Sequence, residues 1–441
     1  MKNKKTLKIV GSIAAGVAAA AVLVLVFFAG WWTRGSVGAT PYDWALGIIE
    51  QYYYKDIDTD DAGETAVDAL VEKYLDIYSA YYTAEEYKQL QESNAGNRSG
   101  FGISSTWLPG EGVLVVNALG NSPAFASGLR AGDVMVSGEL GGELTSFGSL
   151  DDFSSFAARA GEGEEVTVNC ASGESFTFAK AEYATSYVLF ATNDSAWTFT
   201  GEDADELTES AGDAISYLPE GAAYVWLSQF YGNAPAQFEA AMAKFNELGC
   251  TSLIIDLRSD GGGYVSVMQR IAGCFENCRD GSLAMEARYR DGSKERYPVY
   301  GAGESAVVDA DTDIYVLANS GTASASEALI GCLVSYGVLD LGDIYISEYS
   351  QSYLDSVGLT AEQAKSGRTY GKGIMQTSFY NPATGEALKL TTAQIYWPDG
   401  TTIHDVGLSA ADGCRTVEAP LPISGDGQEL RSAVGMIFGL S

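Results

Sequence analysis

Ile314-Tyr-Val-Leu-Ala-Asn-Ser-Gly-Thr-Ala-Ser324-Ala-Ser-Glu327 is the stretch that decides the fold of this chain. Ile314 to Ala318 is a short, unbroken apolar run, the pattern of a strand covered on both faces. Asn319, Ser320 and Gly321 turn the chain, and the spacing from Ser324 to about Tyr336 is helical. Ser324 with Glu327 fits S-x-x-E, an ordinary helix N-cap. The same corner also suits a nucleophile, because a helix N-terminus leaves N–H groups free to hold an oxyanion. On that pattern alone, the structural reading is favoured.

The strand-then-helix unit recurs on either side. Ser252-Leu-Ile-Ile-Asp-Leu257 is a second strand of buried type, and Tyr264 to Phe275 reads as a helix. Tyr224 to Phe230 is strand-like, Phe238, Met242, Phe245 and Leu248 form one helical face, and 284–300 reads as a hairpin around Arg290-Asp-Gly-Ser. This alternation predicts an α/β layered domain with a mostly parallel sheet. Upstream the pattern changes. Gly112-Val-Leu-Val-Val, Glu165-Val-Thr-Val-Asn and Ser175-Phe-Thr-Phe are short strands, with a short helix and turn over Ser122 to Asp133. They predict a small β-rich module with one or two helices. Before it, Trp44, Ile48, Ile49 and Tyr52, then Ala66, Leu70 and Tyr74, recur at helical spacing, and Thr83-Ala-Glu-Glu86 is a capping box opening a helix from Glu85 to Leu90. Asn94 to Gly102 and the polar stretch Asn193 to Gly212 read as boundaries.

Composition removes several function classes. In 441 residues, 46% hydrophobic and 11% aromatic content exclude a mainly disordered chain. Asp and Glu total 58 against 26 Lys and Arg, and a net charge of -32 argues against nucleic acid as a partner. His404 is the sole histidine, so a two-histidine metal site is excluded and a Ser-His triad would have to use it. Cys170, Cys250, Cys274, Cys278, Cys332 and Cys414 lack metal-site spacing and read equally as buried thiols or disulfide partners. No metal or other cofactor is expected.

At the N-terminus Lys2, Lys4, Lys5 and Lys8 precede an uncharged run from Ile9 to Gly30, followed by Trp31, Trp32 and Arg34. A helix of that length spans about 33 Å, enough to cross a bilayer core. Residues 1–34 therefore read as an uncleaved membrane anchor, with the N-terminus cytoplasmic and everything from residue 35 outside.

Two more segments carry chemistry. Gly371-Lys372-Gly373-Ile-Met-Gln376 lacks phosphate-loop spacing. A lysine there can act as general base for a serine if burial lowers its pKa by roughly 3 units. In a strand, Lys372 and Gln376 would face one side. Asp256-Leu-Arg258-Ser-Asp260-Gly261-Gly-Gly263 is no calcium loop, since Arg258 and Val267 stand where ligands are needed. Its glycines let backbone N–H groups approach a substrate carbonyl.

Together these motifs resemble the carboxyl-terminal processing peptidases, serine peptidases that carry a PDZ module. Asp76 to Tyr87 resembles the family's D-P-Y-S-x-Y-x-T-P-E-E-Y, Ser99-Gly-Phe-Gly-Ile103 its PDZ carboxylate loop, and Ser122 to Asp133 its PDZ helix and turn. Asp256 to Gly263, Thr322 to Glu327, Tyr370 to Gln376, and Tyr396 to Gly407 resemble further family segments in the same order. The resemblance implies Ser324 as nucleophile, Lys372 as base, Gln376 as its orienting partner, and Gly262 and Ala325 as oxyanion donors. It implies that Ser99, Gly100, Phe101, Gly102 and Ile103 bind substrate tails, and that His404 has no catalytic role. The implied order is anchor (1–34), helical region (35–95), PDZ domain (96–182), peptidase core (183–425) and C-terminal helix (426–441). Ser324 and Lys372 stand 48 positions apart (372 minus 324), wider than the family pattern, which places an insert near 343–368 with a surface helix over Leu359 to Lys365. The expected function is a membrane-anchored, extracytoplasmic endopeptidase acting near protein C-termini, with room for a homo-oligomer or an activating partner. The alternative is a peptide-binding protein that keeps the fold without activity.

Overall fold

A computed structural model describes residues 62–210, 212–421 and 427–440, together with positions 41, 42, 45, 46 and 49. The anchor read at 1–34 lies outside the described residues; among these, no helix is long and apolar enough to cross a membrane. The chain divides into two compact units, Met1–Tyr74 and Leu75–Ser441. In the first, the helix Ala62–Tyr74 matches the helical spacing read there.

The second unit is built on a mixed eight-stranded sheet. Its spatial order is Glu206–Glu209, Ala196–Thr200, Val188–Ala191, Ala222–Leu227, Ser252–Asp256, Asp313–Ala318, Ile344–Tyr349 and Arg415–Ala419. The last five run parallel and the first three antiparallel, so the sheet is less uniformly parallel than the alternation predicts. Two of the three antiparallel strands come from the polar stretch after Asn193, where Trp197 and Phe199 alternate with threonines. The helices Ala234–Glu247, Val265–Ala272 and Ala325–Ser335 cover one face through Phe238, Met242, Met268, Ile271 and Leu329. Leu248 departs from its expected place on that face: it caps the first of these helices and is exposed. On the other face, Tyr224, Ile254, Leu317 and Tyr345 pack with Leu430 and Val434 of the C-terminal helix Gln428–Phe438.

A five-stranded sheet made of Ala80–Tyr82, Ile374–Tyr380, Ala387–Tyr396, Leu283–Tyr289 and Lys294–Pro298 forms a second layer. Residues 103–179 form a six-stranded antiparallel module, with the helices Pro123–Ala126 and Leu150–Arg159 and a core of its own around Phe147, Phe153 and Phe156. The short ladder Asn97–Gly100 with Ala181–Ala184 closes its base.

The insert near 343–368 is corrected in two respects. Ile344–Tyr349 is an inner strand of the main sheet, with Ile344, Tyr345 and Ile346 buried. The helix falls at Gln351–Val357, where Ser350 caps it, and 361–367 is a run of turns. All six cysteines are free thiols.

Candidate active site

Parallel neighbours put their following loops at the same end of a sheet, where open α/β sheets form their crevices. Ser252–Asp256 and Asp313–Ala318 are such neighbours, so the glycine loop and the Ser324 turn converge. Ser324 has φ 60° and ψ −114°, a left-handed backbone that a serine adopts only when its surroundings impose it. Those surroundings are dense. Thr322 Oγ1 donates to Leu257 O at 2.7 Å, Ala323 N–H to Asp260 O at 3.0 Å, and Ser326 Oγ to Asp260 O at 2.9 Å. The Ser324 hydroxyl donates to no group among the described residues. The N-cap reading holds, since both arms of a capping box are present: Glu327 N–H faces the Ser324 side chain, and Ser324 N–H donates to Glu327 Oε2 at 3.0 Å.

Glu327 does more than cap a helix. It is 1% exposed, and besides Ser324 it accepts from Thr369 Oγ1 (2.6 Å), Gly371 N–H (2.8 Å) and Lys372 N–H (2.8 Å). Burial raises its carboxyl above the usual range, against the pull of these donors. One side chain thus ties the start of the Ser324 helix to the backbone of Lys372. The glycine before the lysine has a steric reason: a Cβ on Gly371, at φ +83°, would lie 2.8 Å from Gly407 N.

Ser324, Ala325, Lys372 and Gln376 line one cleft of about 640 Å³, together with Gly261, Gly263, Tyr264 and the helix Ala84–Asn94. Among the described residues no hydrogen bond joins Ser324 Oγ to Lys372 Nζ, and the lysine Nζ lies 4.4 Å from the Tyr78 ring centroid. Burial, aided by the charge of Lys389, holds the Lys372 amine below the ordinary lysine value. Gln376 Nε2 donates to Thr391 Oγ1 at 3.0 Å and not to the lysine. Lys372 precedes the strand, which begins at Ile374, and a register shift between Met375 and Gln376 further breaks the alternation that would have put 372 and 376 on one face.

In the glycine loop, Gly262 N–H is engaged by Asp260 Oδ1 at 2.8 Å, while Gly263 and Ala325 N–H donate to no group among the described residues. A Cβ on Gly262 would meet Ala325 N at 2.7 Å, which is why the loop can press against the Ser324 turn only as glycine. Asp260 is fully buried with Oδ2 unpartnered, and burial pushes its carboxyl well above the usual range. The charge its sequence position adds beside the site is therefore disfavoured. Behind the loop, Asp256 accepts from Tyr224 Oη at 2.6 Å and from Arg258 Nη2 at 2.6 Å, and Arg258 Nη1 reaches Glu429 Oε2 at 2.9 Å. His404 lies outside the cleft, with Nε2 3.5 Å from Asp405 Oδ2.

Ser99 to Ile103 line a separate cleft with Arg98, Phe153, Ala157 and Lys180. The carbonyls of Phe101 and Gly102 accept from Ala124 and Leu119, and their own N–H groups donate to nothing among the described residues. Phe101 is buried edge-on against Phe178, its ring centroid 5.2 Å away.

Residues 221–341, the glycine loop and Ser324 turn included, match the profile of Peptidase family S41. The chain is similar to curated carboxyl-terminal processing peptidases. It is 24% identical over 362 residues to the "probable CtpA-like serine protease" of Staphylococcus aureus strain N315, covering 82% of this chain and 62% of that protein. It is 26% identical over 370 residues to the "C-terminal processing peptidase, chloroplastic" of Tetradesmus obliquus, covering 82% of this chain and 70% of the other. A putative S41 protease structure from Bacteroides fragilis shares the fold with TM-score 0.54 and 14% identity, covering 90% of this chain and 97% of the other.

Proposed function

We propose that this chain is a membrane-anchored, extracytoplasmic serine endopeptidase of the Ser-Lys kind that processes proteins near their C-termini. The observation that carries the reading is Ser324, held at φ 60° on a strand-to-helix turn with its hydroxyl donating to nothing among the described residues, in one cleft with a lysine whose amine burial drives toward the neutral form. The staphylococcal relative, described as a serine protease, supports it; the chain spans 62% of that relative's length.

In this reading neutral Lys372 takes the Ser324 proton as Oγ attacks the scissile carbonyl carbon. The oxyanion is held by Ala325 N–H and by the glycine loop. Gly263 N–H is uncommitted, and Gly262 N–H serves once it exchanges Asp260 for substrate. The ammonium then protonates the leaving amine, and water, deprotonated by the same lysine, releases the acyl group. The lysine must leave the Tyr78 ring for Ser324 when substrate binds, and Gln376 then orients it; hydrogen bonds of catalytic groups commonly tighten only in the substrate complex. Residues 96–182 act as a PDZ module. Substrate tails add along Ile103–Leu108, and the terminal carboxylate meets the free Phe101 and Gly102 N–H groups.

A fluorophosphonate probe and an unstructured protein substrate test the reading. Wild type should be labelled at Ser324 and should cut the substrate, and Ser324→Ala should do neither. An unlabelled, inactive wild type that still binds peptides would leave a binding protein on a peptidase fold.

A further inference from the structure

Among the described residues lining the Ser324 cleft, Glu295 is the one carboxylate. It stands on the strand Lys294–Pro298, and Tyr297, two residues on, shares its face. Tyr289 on the paired strand lines the cleft beside it. Tyr289 Oη donates to Glu295 Oε2 at 2.5 Å and Tyr297 Oη donates to the same oxygen at 2.9 Å. Oε1 accepts nothing among the described residues. The strand's two cations, Lys294 and Arg296, alternate onto the face opposite Glu295, and Lys294 Nζ bonds Glu286 Oε1 at 3.0 Å, where Arg288 Nε joins it at 2.7 Å. The two phenols hold the Glu295 carboxyl below its usual range.

The cleft therefore contains an anionic acceptor with a fixed orientation, a free oxygen and no cation paired with it among the described residues, bordered by aromatic rings. Such a group suits a cation, because tyrosine faces favour an alkylammonium or guanidinium as well. The cleft's own cations, Lys372 and Lys389, would repel a basic side chain from their part of it, so charge fixes the direction in which a substrate lies.

We propose that Glu295 is a specificity residue that selects substrates carrying a lysine or arginine side chain close to the scissile bond. This rests on the peptidase reading above. It makes Tyr289 and Tyr297 positioning residues that aim the carboxylate.

The test uses one peptide cut by the wild-type protein. At each position flanking the cut, variants carry lysine, glutamine, norleucine or glutamate, and kcat/KM is measured for wild type, Glu295→Gln and Glu295→Lys. At one position wild type should prefer lysine over glutamine by roughly five-fold, the upper range for a partly solvated ion pair. Glu295→Gln should erase that preference, and Glu295→Lys should turn it toward glutamate, a reversal that a purely structural role would not produce. Fluorophosphonate labelling of Ser324 should proceed equally in all three proteins. A wild type that labels and cuts without preferring lysine anywhere, or a Glu295→Gln protein that keeps the preference, overturns the proposal and leaves the peptidase reading standing. A wild type that neither labels nor cuts overturns both.

Discussion

Glu327 and Glu429 are buried to nearly the same depth, at 1% and 2% exposure, and burial raises the carboxyl of each above its usual range. They are satisfied in different ways. Glu429 meets the Arg258 guanidinium at 2.9 Å and the Ser347 hydroxyl. Among the described residues Glu327 pairs with no cation; three of its four donors there are backbone amides, two of them at Gly371 and Lys372. A side-chain ion pair requires only that two flexible groups meet, whereas amide donors fix the course of the main chain. The Glu429 knot therefore holds a helix against a sheet, and the Glu327 knot sets where a lysine stands relative to a serine.

The strongest way to break this contrast is to delete what Glu327 positions. Lys372→Ala should lower kcat by about ten-thousand-fold or more, with its thermal midpoint unchanged. Near wild-type turnover would end the Ser-Lys mechanism. Next comes Arg258→Met, which leaves Asp256 and Glu429 buried without their cation. It should lower stability by about 3–5 kcal/mol in urea denaturation, and a loss under about 1 kcal/mol would mean that the knot is not a buried ion pair in solution. Glu327→Gln sharpens the comparison. It puts an amide donor opposite backbone donors, so kcat should fall about a hundred-fold with little change in KM, while Glu429→Gln, once folded, should keep its kcat. Equal kcat in both glutamine variants would erase the distinction. The smallest effect concerns pH. Activity needs the neutral lysine, so kcat/KM should rise with pH through a midpoint below the ordinary lysine value of about 10.4. Lys389→Met removes one positive charge that depresses the Lys372 amine, and should move that midpoint up by a few tenths of a unit. A downward move would count against the assignment.

What was legible in the sequence was local. Thr83 with Glu86 forms the capping box expected of it, and the helix it opens runs Ala84–Asn94. The apolar runs at 252–257 and 314–318 are the parallel core strands, because strands covered on both faces need no alternation. Less legible were features fixed by distant partners. The S-x-x-E pattern identifies Glu327 as a capping residue, but nothing in it points to amides 44 and 45 positions away. Ile344–Tyr349 sits inside a segment that reads as an insert, since its polar surroundings hide six residues of strand. The bulge at Met375 and Gln376 is likewise set by pairing with Ala387–Tyr396. Ser324, Lys372 and Gln376 do line one cleft, but the bonds they make here run to Glu327, Tyr78 and Thr391.

The Arg258–Glu429 bond also imposes a schedule on biosynthesis. Its partners lie 171 residues apart, and the second belongs to the last described helix. At roughly 5–20 residues per second, Arg258 is translated about ten to thirty seconds before Glu429 exists. During that interval the guanidinium behind the glycine loop lacks the Glu429 carboxylate. The nascent chain therefore cannot lock the wall of its cleft until translation has passed Glu429, and a ribosome stalled short of that codon would hold a chain whose cleft is unfinished.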